Sequence, residues 1–442
     1  MSAMPSLDEE RLKALAAAFS GLLLRPGDVG YDEARRVHNG LIDKRPALIA
    51  RCLGTSDIIG AVGFARENGL EVSVRGGGHN VGGRAVTNGG VMIDLALMKG
   101  VHVDPAARTV RAQGGVTWGE FNRDTAVHGL ATTGGVISTT GIAGLTLGGG
   151  LGWLMGSHGL VVDNLVSVEL VTAAGEVLNA GAGQHPDLFW ALRGGGGNFG
   201  VAASFEYTLH PLREVYGGLV AYPFSAAKEA LRFYGKFTAS VPDELSVFAG
   251  LVHAPDGSGV PLVAFIICHA GAPKRAEADL RPLLGFGSPI LTQVGPMPNY
   301  WKASFLRALD GAAIDTMVDR FAACPSPMSG IVLEHFHGAV TRVGVSETAV
   351  PYRDTGFNLV LTSVWTDPAT TNANITWTRA TYDALAPHFA AKRYVNYLGD
   401  DEGGDAVHAA YGPNYARLAQ VKRKYDPGNL FRLNQNIAPA VA

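Results

Sequence analysis

At 442 residues the chain is long enough for two or three domains, and 47% hydrophobic against 17% charged residues excludes a disordered or fibrous protein. A net charge of -3 gives no electrostatic reason to expect nucleic acid or an anionic membrane as a partner. The three cysteines, Cys52, Cys268 and Cys324, form no CxxC pair, which argues against a disulfide framework and fits a reducing, cytoplasmic setting.

From the N-terminus, Leu7–Leu24 reads as an amphipathic helix. Its acidic start (Asp8, Glu9, Glu10) lacks the basic opening and apolar core of a secretory signal. Thr55-Ser56-Asp57 predicts a capped helix start, with Ile58, Ile59, Val62 and Ala65 on one apolar face. Glu71-Val72-Ser73-Val74 alternates as a strand and runs into Arg75-Gly76-Gly77-Gly78-His79-Asn80. Three glycines after a strand leave backbone amides bare for a phosphate, and His79 follows as an imidazole nucleophile. That pairing points to a cofactor held by charge and by a covalent bond. A glycine-rich turn with an incidental histidine fits the hexapeptide alone equally well.

Strands are next expected at Val91–Leu95 and Thr109–Ala112, a short helix at Trp118–Ala126, and a hairpin about Ala173-Ala174-Gly175. The 58 glycines crowd into Gly76–Gly90, Gly134–Gly159 and Gly194–Gly200, a pattern of backbone laid against a ligand. No Asp, Glu, Lys or Arg occurs between Asp124 and Asp163, a stretch longer than the ~20 residues of a membrane span. Its Gly, Thr and Ser residues, with His128 and His158, make it instead a buried wall around an uncharged, planar ligand. Gly195–Gly200 satisfies G-x-G-x-x-G, but a helical turn (Asp187–Arg193) precedes it and a strand (Val201–Leu209) follows. A dinucleotide fingerprint needs the reverse order, so a nicotinamide dehydrogenase is disfavoured.

From about Glu214 to Lys392 glycine thins out. Strands (Leu245–Val252, Leu262–Cys268, Ile331–Phe336, Leu359–Trp365) alternate with helices (Ala226–Phe237, Pro273–Leu283, Thr371–Leu385). This predicts a separate sheet covered on one face by helices. Alternation puts His335 and His337 on one strand face and Glu334 on the other; with no third ligand in sight, no metal site is expected.

Arg75–Asn80, Gly141–Trp153 and Asp187–Val201 together resemble the FAD-linked oxidases of the vanillyl-alcohol oxidase superfamily. The tail, with Tyr394-Val395-Asn396-Tyr397, Tyr411-Gly412 and Lys424–Arg432, resembles its berberine-bridge-enzyme branch. The resemblance runs over nearly the whole chain with the motifs in family order. It implies an α+β flavoprotein of two domains. Residues 1–212 and 394–442 would form a discontinuous FAD-binding domain, and residues 213–393 an inserted substrate-binding domain, an antiparallel sheet covered by helices.

By the same resemblance His79 carries a single covalent link to the flavin 8α-methyl carbon, with Arg75, Gly76, Gly77, Gly78, Asn80 and Gly83 about the cofactor. Gly141, Gly144, Gly148, Val201, Tyr394 and Asn396 complete the implied cofactor site. Tyr397 is implied as the catalytic base, although its reference pKa of ~10 must then be lowered by a cation or by the flavin. A tyrosine packed on the ring is the open alternative. His335 and His337 are implied at the substrate pocket and are the alternative catalytic bases to Tyr397, since an imidazole needs no pKa depression to act near neutrality. Doubly linked relatives carry a Cys-Pro-x-x-Gly-x-Gly-Gly-His pattern, and here Ile137 and Leu145 stand at its cysteine and histidine, which excludes a second bond through sulfur. The implied activity takes two electrons from a C–H bond next to oxygen or nitrogen of a small substrate and returns them to dioxygen. A dehydrogenase, an oxidative cyclase and a non-turnover flavin- or ligand-binding module remain open, as do the substrate and the oligomeric state.

Overall fold

A computed structural model describes residues 7–254, 256, 258–297, 308–390, 392–399 and 404–441. Ten strands precede residue 210: β1 (Leu22–Leu24), β2 (Leu48–Arg51), β3 (Val72–Arg75), β4 (Val91–Asp94), β5 (Val101–Asp104), β6 (Thr109–Gln113), β7 (Leu130–Ala131), β8 (Leu165–Val171), β9 (Val177–Gly181) and β10 (Val201–Thr208). Seven follow: β11 (His210–Pro211), β12 (Val215–Pro223), β13 (Leu245–His253), β14 (Pro261–His269), β15 (Leu291–Met297), β16 (Gly330–Phe336) and β17 (Gly356–Thr362).

The first sheet has the order β1-β2-β4-β3, with β2 and β3 both parallel to β4. The second, β5-β6-β10-β8-β9, is antiparallel. The third, β15-β12-β14-β13-β16-β17, is antiparallel too and lies entirely between residues 215 and 362.

Period-two alternation gives the third sheet two buried faces. Leu245, Val247, Ala249, Val263, Phe265, Ile331 and Leu333 pack under the helices Ala227–Thr238 and Gly311–Ala322. Phe248, Cys268, Val332 and Phe336 point the other way, onto Trp153, Met155, Tyr352 and Tyr394. Trp153 stacks on Phe248 at 4.0 Å, and Ser246 Oγ donates to the Trp153 carbonyl at 2.7 Å. The charge-free stretch supplies that contact: Thr146–Gly156 is buried throughout, and among the described residues no helix is long and apolar enough to cross a membrane.

Several expectations are corrected. The first helix spans only Glu9–Ala18, because Gly21 passes so close to the Arg51 carbonyl that a Cβ would sit 2.0 Å from it, and Leu22–Leu24 then pairs with β2. The helix Thr55–Glu67 forms where expected but without side-chain capping: Thr55 Oγ1 donates to Glu169, and buried Asp57 accepts from the amides of Ser20 and Leu53. The last strand of the third sheet is Gly356–Thr362 rather than Leu359–Trp365. Strands β12 and β15 and the helix Gly311–Ala322 were not anticipated; Gly217, Gly218 and Pro223 disguise β12.

Two buried ion pairs fasten the parts. Arg353 reaches Asp163 with both terminal nitrogens, at 2.6 and 2.8 Å, and also meets Thr348 Oγ1 at 2.7 Å. Lys422, fully buried, donates to Asp426 and to the Asn198 and Phe431 carbonyls, tying the tail to the third glycine cluster. Arg353→Met should cost about 3–5 kcal/mol in urea unfolding, because a buried carboxylate loses its guanidinium. The exposed Arg66→Ala control should stay within about 0.5 kcal/mol.

Candidate functional site

β3 delivers Arg75 to the edge of the first sheet, where the chain leaves as Gly76–Asn80. Asp94, with no exposure, accepts from Arg75 Nε (2.8 Å) and Nη2 (2.6 Å) and from Arg51 Nε (3.0 Å). Arg75 Nη1 donates to the Arg36 carbonyl at 2.9 Å. The Arg75 charge is thus largely committed to the protein, although its side chain, with Arg51, Lys99, Gly76, Gly77 and Thr139, lines a cavity of about 350 Å³.

The glycines answer to packing as much as to any ligand. A Cβ on Gly77 would lie 2.2 Å from the Gly141 amide nitrogen, and one on Gly76 would lie 2.9 Å from the Gly114 carbonyl. Gly78 takes φ +70°, and Gly83, at φ +63°, sits under Ile42. Asn80 Oδ1 accepts from the Arg84 amide at 3.3 Å. The first two glycine clusters therefore touch backbone to backbone. His79 emerges at that contact, with Thr139 Oγ1 2.9 Å from Nε2, Thr140 Oγ1 3.3 Å from Nδ1, and the His38 ring stacked at 4.1 Å.

A six-residue helix, Ile142–Leu147, runs from this point. Gly141 caps its start, Gly144 lies exposed on its side with open space around a notional Cβ, and Gly148 ends it. At a rise of 1.5 Å per residue its ends lie about 9 Å apart. The far end carries the second group. Asn396 Nδ2 donates to the Leu145 carbonyl (3.1 Å) and to Tyr394 Oη (2.9 Å), which also accepts from the Gly150 amide (3.0 Å). Gly148 has no room for a Cβ, since Asn396 Oδ1 would be 2.0 Å away, and Tyr352 donates to its carbonyl at 3.2 Å. Tyr397, half-buried, meets the Tyr394 ring edge-on at 4.6 Å. Burial holds the hydroxyls of Tyr394 and Tyr352 well above the usual tyrosine range. Val201 is a core residue packed between the first two sheets.

The register of β16 separates Glu334 from the histidines. Val332 and Phe336 face Trp153 and Tyr394, so Glu334, between them, shares that face. Glu334 is fully buried and accepts from Asn358 Nδ2 of the adjacent strand at 3.1 Å. His335 points to the helix-covered side, where it stacks on His337 at 4.7 Å and lines a cavity of about 530 Å³ with Arg232, Lys236 and Phe357. His337 lies beyond the strand, against Gly156. Strand parity already marked Glu334 as opposite to the histidines; which face meets the glycine clusters depends on Trp153 and was not legible.

Burial and the neighbouring imidazole of His337 push His335 down to about 3; burial and His210 push His158 down to about 4. Both are neutral near pH 7, and the folded state binds fewer protons than an unfolded chain titrating near 6.5. Stability should therefore be full above pH 6.5 and fall as the pH drops toward 4, with the urea midpoint as the readout. His335→Phe should flatten that slope. In the same assay Gly77→Ala should cost about 1–3 kcal/mol by overpacking, and Gly144→Ala should stay within about 0.5 kcal/mol.

A family model described as FAD binding domain matches residues 46–181, and one described as berberine and berberine like matches residues 393–438. The chain is 32% identical over 456 residues to (R)-6-hydroxynicotine oxidase of Paenarthrobacter nicotinovorans, covering 96% of this chain and 98% of that one. An FAD-linked oxidoreductase of Dictyostelium discoideum is 29% identical over 444 residues, covering 96% and 95%. The crystal structure of 6-hydroxy-D-nicotine oxidase from Arthrobacter nicotinovorans superposes with a TM-score of 0.85 at 28% identity, over 96% of this chain and 98% of that one. The chain is an FAD-dependent oxidoreductase and belongs to the berberine-bridge-like branch of the FAD-linked oxidases.

Proposed function

We propose that the chain oxidises a CH–OH or CH–NH group of a small organic molecule, with FAD joined through one covalent bond to His79 and dioxygen as electron acceptor. The observation that carries this reading is the short helix Ile142–Leu147, with His79 at its start and Tyr394, Asn396 and Tyr397 at its end. The exposed, unobstructed side of Gly144 between them fits a flat ring laid along the helix. FAD, when bound, supplies the two-electron redox chemistry.

The protein's part is binding, orientation and proton handling. Ile137 offers no thiolate, so His79 is the single attachment point. Asn396, held by Leu145 and Tyr394, presents its amide beside Gly148. Tyr397 takes the hydroxyl or amine proton as the C–H bond breaks. Glu334, bonded to Asn358, lies on the sheet face that meets Trp153 and Tyr394, and we assign it to the substrate side of the site. We assign cofactor binding to residues 1–212 and 394–442 and substrate binding to residues 213–393; the third sheet's confinement to residues 215–362 supports this division. The three free cysteines support a cytoplasmic setting.

Acid-precipitated protein should stay yellow; flavin released wholly into the supernatant would refute the covalent bond. Air turnover of a good substrate should yield hydrogen peroxide in step with product, whereas slow reoxidation with brisk dye reduction would mark a dehydrogenase. Tyr397→Phe should retain FAD and slow anaerobic flavin reduction by ~10²–10⁴-fold. A loss under about tenfold would move the base role to Glu334.

A further inference from the structure

We propose that His38 and Thr139 are positioning residues for loading the cofactor: together they hold the His79 imidazole in the one plane and tautomer that can form the covalent bond. This rests on the reading of His79 as the attachment point.

The His79 ring is held on three sides. Thr139 Oγ1 lies 2.9 Å from Nε2, Thr140 Oγ1 lies 3.3 Å from Nδ1, and the His38 ring lies parallel to it, at 15° and 4.1 Å between centroids. The elements bearing these groups are themselves fixed. The His38 amide donates to the Gly78 carbonyl at 3.0 Å and Asn39 Nδ2 donates to the Val81 carbonyl at 2.7 Å, so the strap bearing His38 is fastened on both sides of His79. Thr140 donates its amide to the Ile137 carbonyl and accepts from the Trp118 amide, each at 2.9 Å.

In the tautomer this proposal assigns, Nε2–H donates to Thr139 Oγ1 and Nδ1 reacts through its lone pair, displacing the longer contact with the Thr140 hydroxyl. His79 Nδ1 then forms the C–N bond to the 8α carbon of the cofactor. One proton leaves that carbon and one leaves Nε2 through Thr139. The two electrons released pass to dioxygen, which takes up two protons and becomes hydrogen peroxide. Stacking on His38 prevents rotation about the His79 side-chain bonds and offers a π face to the imidazolium formed on attack.

The test is the covalently bound fraction of FAD in each purified protein, read as flavin fluorescence on a denaturing gel. Non-covalent FAD is measured in the acid supernatant, and folding by thermal melting. His38→Ala and Thr139→Val should lose about tenfold or more of the covalent fraction, since a small misplacement costs this much in a bond-forming step, while still carrying releasable FAD. His38→Phe, which keeps the stack, and Thr139→Ser, which keeps the hydroxyl, should restore it. Wild type with only releasable flavin overturns the His79 reading and this proposal with it. Wild type that loads, alongside His38→Ala and Thr139→Val proteins that load as fully, overturns this proposal alone. A His38→Phe protein no better than His38→Ala overturns the stacking role.

Discussion

Asp94 is the charge on which the rest of the cofactor face depends. Its carboxylate is fully buried and accepts from Arg75, Arg51 and the Ala96 amide. An unpaired charge there would cost several kcal/mol, so the two guanidiniums are pinned to it. Pinning Arg75 fixes where Gly76 begins, and the contact of Gly77 with Gly141 then fixes the second glycine cluster against the first. From that contact His79 and the helix Ile142–Leu147 take their positions.

The third sheet works on the same site from the opposite side. Its alternation is ordinary, yet both faces are buried, one by helices and one by the glycine-cluster wall. Residues of one parity build a core. Those of the other parity, Phe248, Val332, Glu334 and Phe336, face the wall that carries Tyr394. A polar pair, Glu334 and Asn358, sits within that apolar interface, and the hydrogen bond between them offsets part of the cost of burying both groups.

Motifs were legible where chemistry and local spacing coincide. The loop Arg75–Asn80, the glycine run ending at Gly150 and the tail Tyr394–Tyr397 each announce themselves, and the structure draws His79, Gly141, Gly148, Tyr394, Asn396 and Tyr397 into two groups at the ends of one helix. Long-range partners were not legible. Thr55 and Asp57 mark a helix start, but their side chains turn to Glu169 and Ser20, which lie 114 and 37 residues away. Strand β12 hides behind Gly217 and Gly218 because the neighbouring strand approaches closely there, with the Ile267 carbonyl 2.8 Å from a notional Cβ. Parity puts His335 and Glu334 on opposite faces of one strand without saying which side meets the wall.

The bond between the Gly150 amide and Tyr394 joins residues 244 apart. Closing a loop of that length costs only slowly growing entropy. The third sheet also folds between the two ends and shortens the effective span. Order in time is a stricter matter. On a ribosome the glycine clusters emerge long before the segment carrying Tyr394, Asn396 and Tyr397, so the growing chain exposes half a ring site without its lid. Because the tail is synthesised after the whole third sheet, the site proposed above can be completed only late in the life of the polypeptide.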